Sequence, residues 1–106
     1  MAAWSEKVRI LLIRPWTEPL APLRAVLRDA GIPAQIFRVD IEPALNAALH
    51  RGGFDIVIFD PKMPGISREA VETRLREHRS SVPIITLDEL DAIPSALEQV
   101  LAKRMN

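Results

Sequence analysis

The chain has 106 residues, enough for one domain with a real core and too few for two. With 48% hydrophobic and 26% charged residues its composition is globular, which excludes intrinsic disorder and collagen-like or low-complexity architecture. Fourteen basic residues balance fourteen acidic ones and cysteine is absent, so the global charge to drive nucleic-acid or anionic-membrane binding is missing, and disulfide frameworks, thiolate metal sites and cysteine nucleophiles are excluded.

Met1 to Lys7 lacks a basic start followed by a long apolar stretch, and the run Ile10 to Ile13 is too short for a bilayer span or a signal core. A cytoplasmic location without membrane or nucleic-acid partners is therefore expected. No repeat or Gly/Ser linker divides the chain, and a single domain over 1–106 is expected, with its core at about 7–103 and tails at both ends.

Val8 to Ile13 is almost wholly aliphatic, with Arg9 its one polar member, as required of a strand covered on both faces. Leu20, Leu23, Leu27 and Ala30 then recur at helical spacing, with Pro19 in a starting position and Gly31 as a stop. Ala34 to Val39 mixes Ile36, Phe37 and Val39 with Gln35 and Arg38, the pattern of an edge strand. Asp40 is placed to cap a helix from about Pro43, whose Leu45, Ala48 and Leu49 share a face and whose end is marked by Gly52 and Gly53.

Phe54 to Phe59 is the most apolar strand, with Asp55 near its start and Asp60 directly after it. Ser67 can cap a helix through Glu77 with Val71 and Leu75 inward, and Val82 to Leu87 reads as a fourth strand. Ile93, Leu97, Val100 and Leu101 form the stripe of a last helix to about Lys103, with Lys103 and Arg104 favouring its C-terminal dipole. This βαβαβαβα order predicts a parallel sheet with right-handed crossovers and helices on both faces. In such sheets chemistry gathers at the carboxyl ends of strands. The residues there are Arg14, Pro15 and Trp16, then Asp60 to Gly65, then Thr86 to Glu89.

Several other features read as structural. His50 and His78 have no further ligand at metal spacing, and Arg51-Gly52-Gly53-Phe54 leads into a strand rather than a helix, so it is neither a P-loop nor a dinucleotide fingerprint. The arginines at 68, 74, 76 and 79 alternate with Glu69, Glu72 and Glu77, as on a solvated helix face.

The stretch Phe54-Asp55-Ile56-Val57-Ile58-Phe59-Asp60-Pro61-Lys62-Met63-Pro64-Gly65 resembles the third strand and following loop of bacterial response-regulator receiver domains. The similarity extends to strand one, to Val82-Pro83-Ile84-Ile85 and to Ile93-Pro94-Ser95-Ala96-Leu97-Glu98, covering roughly residues 7 to 103. It implies a flavodoxin-like, three-layer α/β/α fold with a parallel sheet, here with four strands and without the family's strand five. It also implies that Asp60 matches the aspartate which accepts a phosphoryl group from a histidine kinase. In the family an acidic pair after strand one helps hold Mg²⁺, and the matching positions here are Arg14 and Pro15, which offer no side-chain ligand to a hard cation. The hydroxyl residue beyond strand four falls on Asp88, with Thr86 close by, and the phosphate-binding lysine has no counterpart.

The expectation from these departures is a degenerate receiver that needs no cofactor and binds Mg²⁺ weakly or not at all. An Arg14–Asp60 ion pair is expected in the metal's place; at about 4 Å it gains on the order of 4 kcal/mol before desolvation is subtracted. Arg14, Pro15, Trp16, Lys62, Thr86 and Asp88 are expected to line the site. Trp16, Pro61, Lys62, Met63 and the strand-four edge at Val82 and Ile84 are expected to form a contact surface. The implied partners are a histidine kinase or a downstream effector. An uncovered strand four favours a homodimer as well. The alternatives are a working phosphoacceptor at Asp60 assisted by Arg14 and Lys62, and a small flavodoxin-like ligand binder or enzyme.

Overall fold

The aliphatic run Val8–Ile13 forms β1, and all of its side chains except Arg9 are buried. The computed structural model describes residues 7–105, apart from the side chains of 89, 101 and 103–105. Expectations placed on the N-terminal tail, Leu101, Lys103 and Arg104 therefore lie outside the described residues. The further elements are α1 (Ala21–Asp29), β2 (Ala34–Val39), α2 (Glu42–Arg51), β3 (Ile56–Phe59), α3 (Arg68–Glu77), β4 (Ile84–Thr86), a 3₁₀ helix (Leu87–Ala92) and α4 (Ile93–Met105).

The four strands are parallel in the order β2-β1-β3-β4, so β2 and β4 are the edges. Alternation along the strands divides the core in two. Leu11, Ile13, Val57 and Phe59 face α2 and α3, where Leu45, Leu49, Val71 and Leu75 meet them. Ile10, Leu12, Ile56 and Ile58 face the opposite layer, with Leu23 and Leu27 of α1 and Ile93 and Leu97 of α4. This is the three-layer, flavodoxin-like arrangement. Its two central strands end side by side, with Ile13 beside Phe59, and the residues following them, Arg14 and Asp60, emerge together at one end of the sheet.

Local departures from the sequence reading have clear causes. Helix α2 starts from Ile41 in an extended conformation without a side-chain cap, because Glu42 and Pro43 already suit the first turn; Asp40 does not cap it. Strand β3 begins at Ile56 rather than Phe54, the Asp55 carboxylate accepting from the Arg9 backbone N–H at 2.9 Å. Strand β4 is three residues long instead of six. Pro83 cannot donate a ladder hydrogen bond, and Leu87 already belongs to the 3₁₀ helix that turns the chain toward α4. Helix α3 begins as expected, the Ser67 hydroxyl accepting from the Ala70 N–H at 3.1 Å. Two of the expected surface pairs on α3 form, Arg68–Glu72 and Arg74–Glu77.

Candidate functional site

Asp60 follows the last residue of β3 and is still tied to the sheet, since its N–H donates to the Ile13 carbonyl at 2.9 Å. Its carbonyl accepts from the Met63 N–H at 3.0 Å, and its Oδ1 accepts from the Lys62 N–H at 2.9 Å. Side chain and backbone together thus close the turn over Pro61 and Lys62, as an aspartate readily does. Gly65, with φ +80°, completes the loop in a conformation that disfavours residues with a Cβ. This places Ser67 at the start of α3.

The remaining carboxylate oxygen, Oδ2, accepts from Arg14 Nη1 at 2.7 Å. Asp60 is the only buried charged side chain among the described residues, and the Arg14 side chain is only 14% exposed. A carboxylate taken out of water needs a counter-charge and filled lone pairs, and the guanidinium and the Lys62 amide supply both. Arg14 is held from its other side as well: Nε donates to the Pro19 carbonyl at 3.2 Å, and Nη2 lies 3.9 Å from Glu18 Oε2. The loop following β1 thereby wraps its own arginine onto the end of β3.

Arg38 of β2 clamps the same loop. Its Nη1 donates to the Pro15 carbonyl at 2.8 Å and to the Glu18 carbonyl at 2.9 Å, and the guanidinium lies over the Trp16 ring at 5.1 Å. Burial, with Arg14 and Arg24 nearby, lowers the proton affinity of Arg38, while Asp40 acts in the opposite sense.

The structure unites Arg14, Pro15 and Asp60 in one bonded group, with Lys62 contributing through its backbone while its side chain is exposed. Thr86 sits beside Phe59 in register and shares a cleft with Phe59, Pro61 and Gly65. Asp88 is exposed on the 3₁₀ helix and forms no bond to the Asp60 group. Of the expected contact surface, Trp16 is 65% exposed and Pro61 is exposed, whereas Val82 and Ile84 are half-buried. Met63 corrects the expectation: it is buried, packed with Phe59 and Ile66 in the core beneath α3, because the turn closed by Asp60 folds it back under the loop. The loop clamp by Arg38 went unread. Its one sequence signal was a long cation on an edge strand beside a loop carrying Pro15 and Pro19, whose carbonyls need donors.

No triad of His, Asp or Glu able to hold a metal ion occurs among the described residues, although the fold brings the His50 and His78 rings to 6.4 Å. No described helix is long and apolar enough to cross a membrane.

A doubly wound sheet of order 2-1-3-4 with an aspartate closing its third strand defines a receiver-type domain. The chain is 36% identical over 83 residues to sensory transduction protein RegX3 of Mycobacterium tuberculosis, covering 78% of this chain and 35% of RegX3. It is 35% identical over the same length to RegX3 of Mycolicibacterium smegmatis, and 34% identical over 89 residues to the uncharacterized transcriptional regulatory protein YkoG of Bacillus subtilis, covering 84% of this chain and 38% of YkoG. The chain thus spans little more than a third of the length of these relatives. No family model matches it. It belongs to the receiver domains of the response regulators, with Arg14 and Pro15 where the resemblance places the acidic pair.

Proposed function

We propose that the chain is a receiver-type module of two-component signalling that works by protein contact, without enzymatic activity and without Mg²⁺-dependent phosphorylation. The observation that carries this reading is the Arg14–Asp60 pair at 2.7 Å, with the second Asp60 oxygen engaged by the Lys62 amide. Transfer of a phosphoryl group to a carboxylate needs an oxygen free to attack and a cation to neutralise the developing charge. Here one oxygen is bound to a guanidinium that cannot donate a lone pair to a metal, and the other closes a turn. The cation is built in, and the site keeps one state.

In this reading the module sits in the cytoplasm and offers a fixed surface around Trp16 and Pro61 to a histidine kinase or a downstream effector. The free edge of β4, three residues long and uncharged, is where a second copy would pair. The test is intact mass after incubation with Mg²⁺ and a small-molecule phosphodonor, beside an Asp60→Asn control. The expected result is no added phosphoryl group on either protein. A donor-dependent gain that the control lacks would overturn the reading and make Asp60 a working phosphoacceptor.

A further inference from the structure

At the opposite edge of the sheet from β4, β2 pairs among the described residues with β1 alone, and none of them pairs with its outer side. The phase of its hydrogen bonds is fixed at both ends: Val8 N–H donates to Pro33 O, and Arg14 N–H to Val39 O. With Val8 opposite Ala34, the backbone groups of Gln35, Phe37 and Val39 therefore point to β1, and those of Ala34, Ile36 and Arg38 point outward. These outward groups form a ladder with no strand on it among the described residues.

A groove of about 420 Å³ runs along this edge against the small side chains Ala44, Ala47 and Ala48 of α2. Three arginines line it, Arg9, Arg38 and Arg51, and no carboxylate does. Two of the three are fixed in advance. Arg9 lies against the Phe37 and Phe54 rings at 5.1 and 5.2 Å, with Nη1 donating to the Gly53 carbonyl at 3.1 Å. Arg38 is fixed on Trp16 and the β1–α1 loop, with its Nε buried and unpartnered. Such cations lose little side-chain freedom on meeting an anion. Among the described residues the two large exposed hydrophobic side chains, Trp16 and Ile41, follow β1 and β2 at the same end of the sheet.

The arginines also lie on different faces. Arg9 shares its face of the sheet with Leu11 and Ile13, whereas Arg38 stands opposite Leu12, whose side chain faces the other layer. In register, Arg9 pairs with Gln35, three residues before Arg38, a separation of roughly 10 Å along the strand. Side chains three residues apart in an extended chain differ in face and in position by the same amounts.

We infer that the β2 edge is a docking site for an extended acidic segment of a partner protein. The segment adds as a fifth strand along Ala34–Val39, with one acidic side chain against Arg9 and Arg51 and another, three residues away, against Arg38. Main-chain pairing supplies affinity and the arginines select register and charge. The groove does not include Asp60 and meets the Arg14–Asp60 pair only through the Arg38 clamp on the β1–α1 loop; docking there does not require Asp60 to accept a phosphoryl group.

The probe is an eight-residue peptide of alternating valine and threonine with glutamates at its third and sixth positions, titrated into the full chain by calorimetry and by amide chemical shifts. Binding is expected, with the largest shifts at Ala34, Ile36 and Arg38, and with affinity falling as salt rises. The Arg51→Glu variant is expected to lose about tenfold or more in affinity and Arg51→Gln less, both with unchanged far-UV circular dichroism. The same peptide N-methylated at every residue keeps its charges but has no backbone N–H with which to pair, and is expected not to bind; a lysine-substituted peptide likewise. The proposal is overturned if the acidic peptide leaves the β2 amides unmoved, or if either the N-methylated or the lysine peptide binds equally well. It is equally overturned if Arg51→Glu binds like the parent, or if the β2 amides shift with protein concentration alone, which would give the edge to a second copy.

Discussion

Replacing Arg14 with methionine keeps an unbranched apolar stem and removes the charged guanidinium. At 2.7 Å the guanidinium and the Asp60 carboxylate attract by about 6 kcal/mol gross at an effective dielectric near 20, most of which offsets the cost of desolvating both groups. Stripping one partner is a different matter, because Asp60 then stays buried with the Lys62 amide as its one remaining side-chain bond. The loss expected is about 3 kcal/mol, the lower end for a broken buried pair, since the Arg14 end of the pair is partly open to water. For a chain of this length that lowers Tm by roughly 12 °C or more. Urea unfolding followed by circular dichroism measures it, with the m-value unchanged if only stability has moved. Adding Asp60→Asn to Arg14→Met removes the stranded charge, so the double variant is expected to be more stable than the sum of the single losses by about 2 kcal/mol. A loss below about 0.5 kcal/mol for Arg14→Met, or simple additivity, would refute the claim that the pair holds the site.

Other substitutions test the scaffold around it. Ser67→Ala removes the acceptor for the Ala70 N–H at the start of α3 and is expected to cost about 1 kcal/mol in the urea midpoint. Leu97→Ala empties a fully buried position between α4 and the sheet, an expected loss of about 2–5 kcal/mol by the same assay. Gly53 has φ +84°, and a Cβ there would run into Arg9 Nη1. Gly53→Ala is therefore expected to cost about 1–3 kcal/mol and also to weaken binding of the acidic peptide by displacing Arg9.

The layers and strand order were legible because β1 and β3 are written as continuous aliphatic runs, which suit only strands covered on both faces. The Arg14–Asp60 pair was legible for a related reason. Both residues directly follow central strands, and adjacent parallel strands bring such positions together. What stayed hidden depended on backbone geometry between elements. Met63 looked like a loop residue to be displayed, but the hydrogen bonds that the Met63 and Lys62 amides donate to the Asp60 carbonyl and carboxylate tighten the turn and drive it into the core. The sequence Leu87 to Ala92 carries no strong helical stripe, so its 3₁₀ turn and the shortening of β4 went unread. Arg38 read as a polar residue on an edge strand. Its contact with the Pro15 and Glu18 carbonyls is 23 and 20 residues distant in sequence, and no local pattern announces it.

The most direct test of the built-in cation is to follow the Lys62 and Met63 amides while Mg²⁺ and beryllofluoride, a phosphoryl mimic, are added together. Both amides donate to Asp60, to Oδ1 and to the carbonyl respectively, so any ligand that takes the carboxylate from Arg14 must move them. With the carboxylate held by Arg14, neither resonance is expected to shift up to millimolar additions. A saturable shift of both, requiring Mg²⁺ and lost in Asp60→Asn, would contradict it.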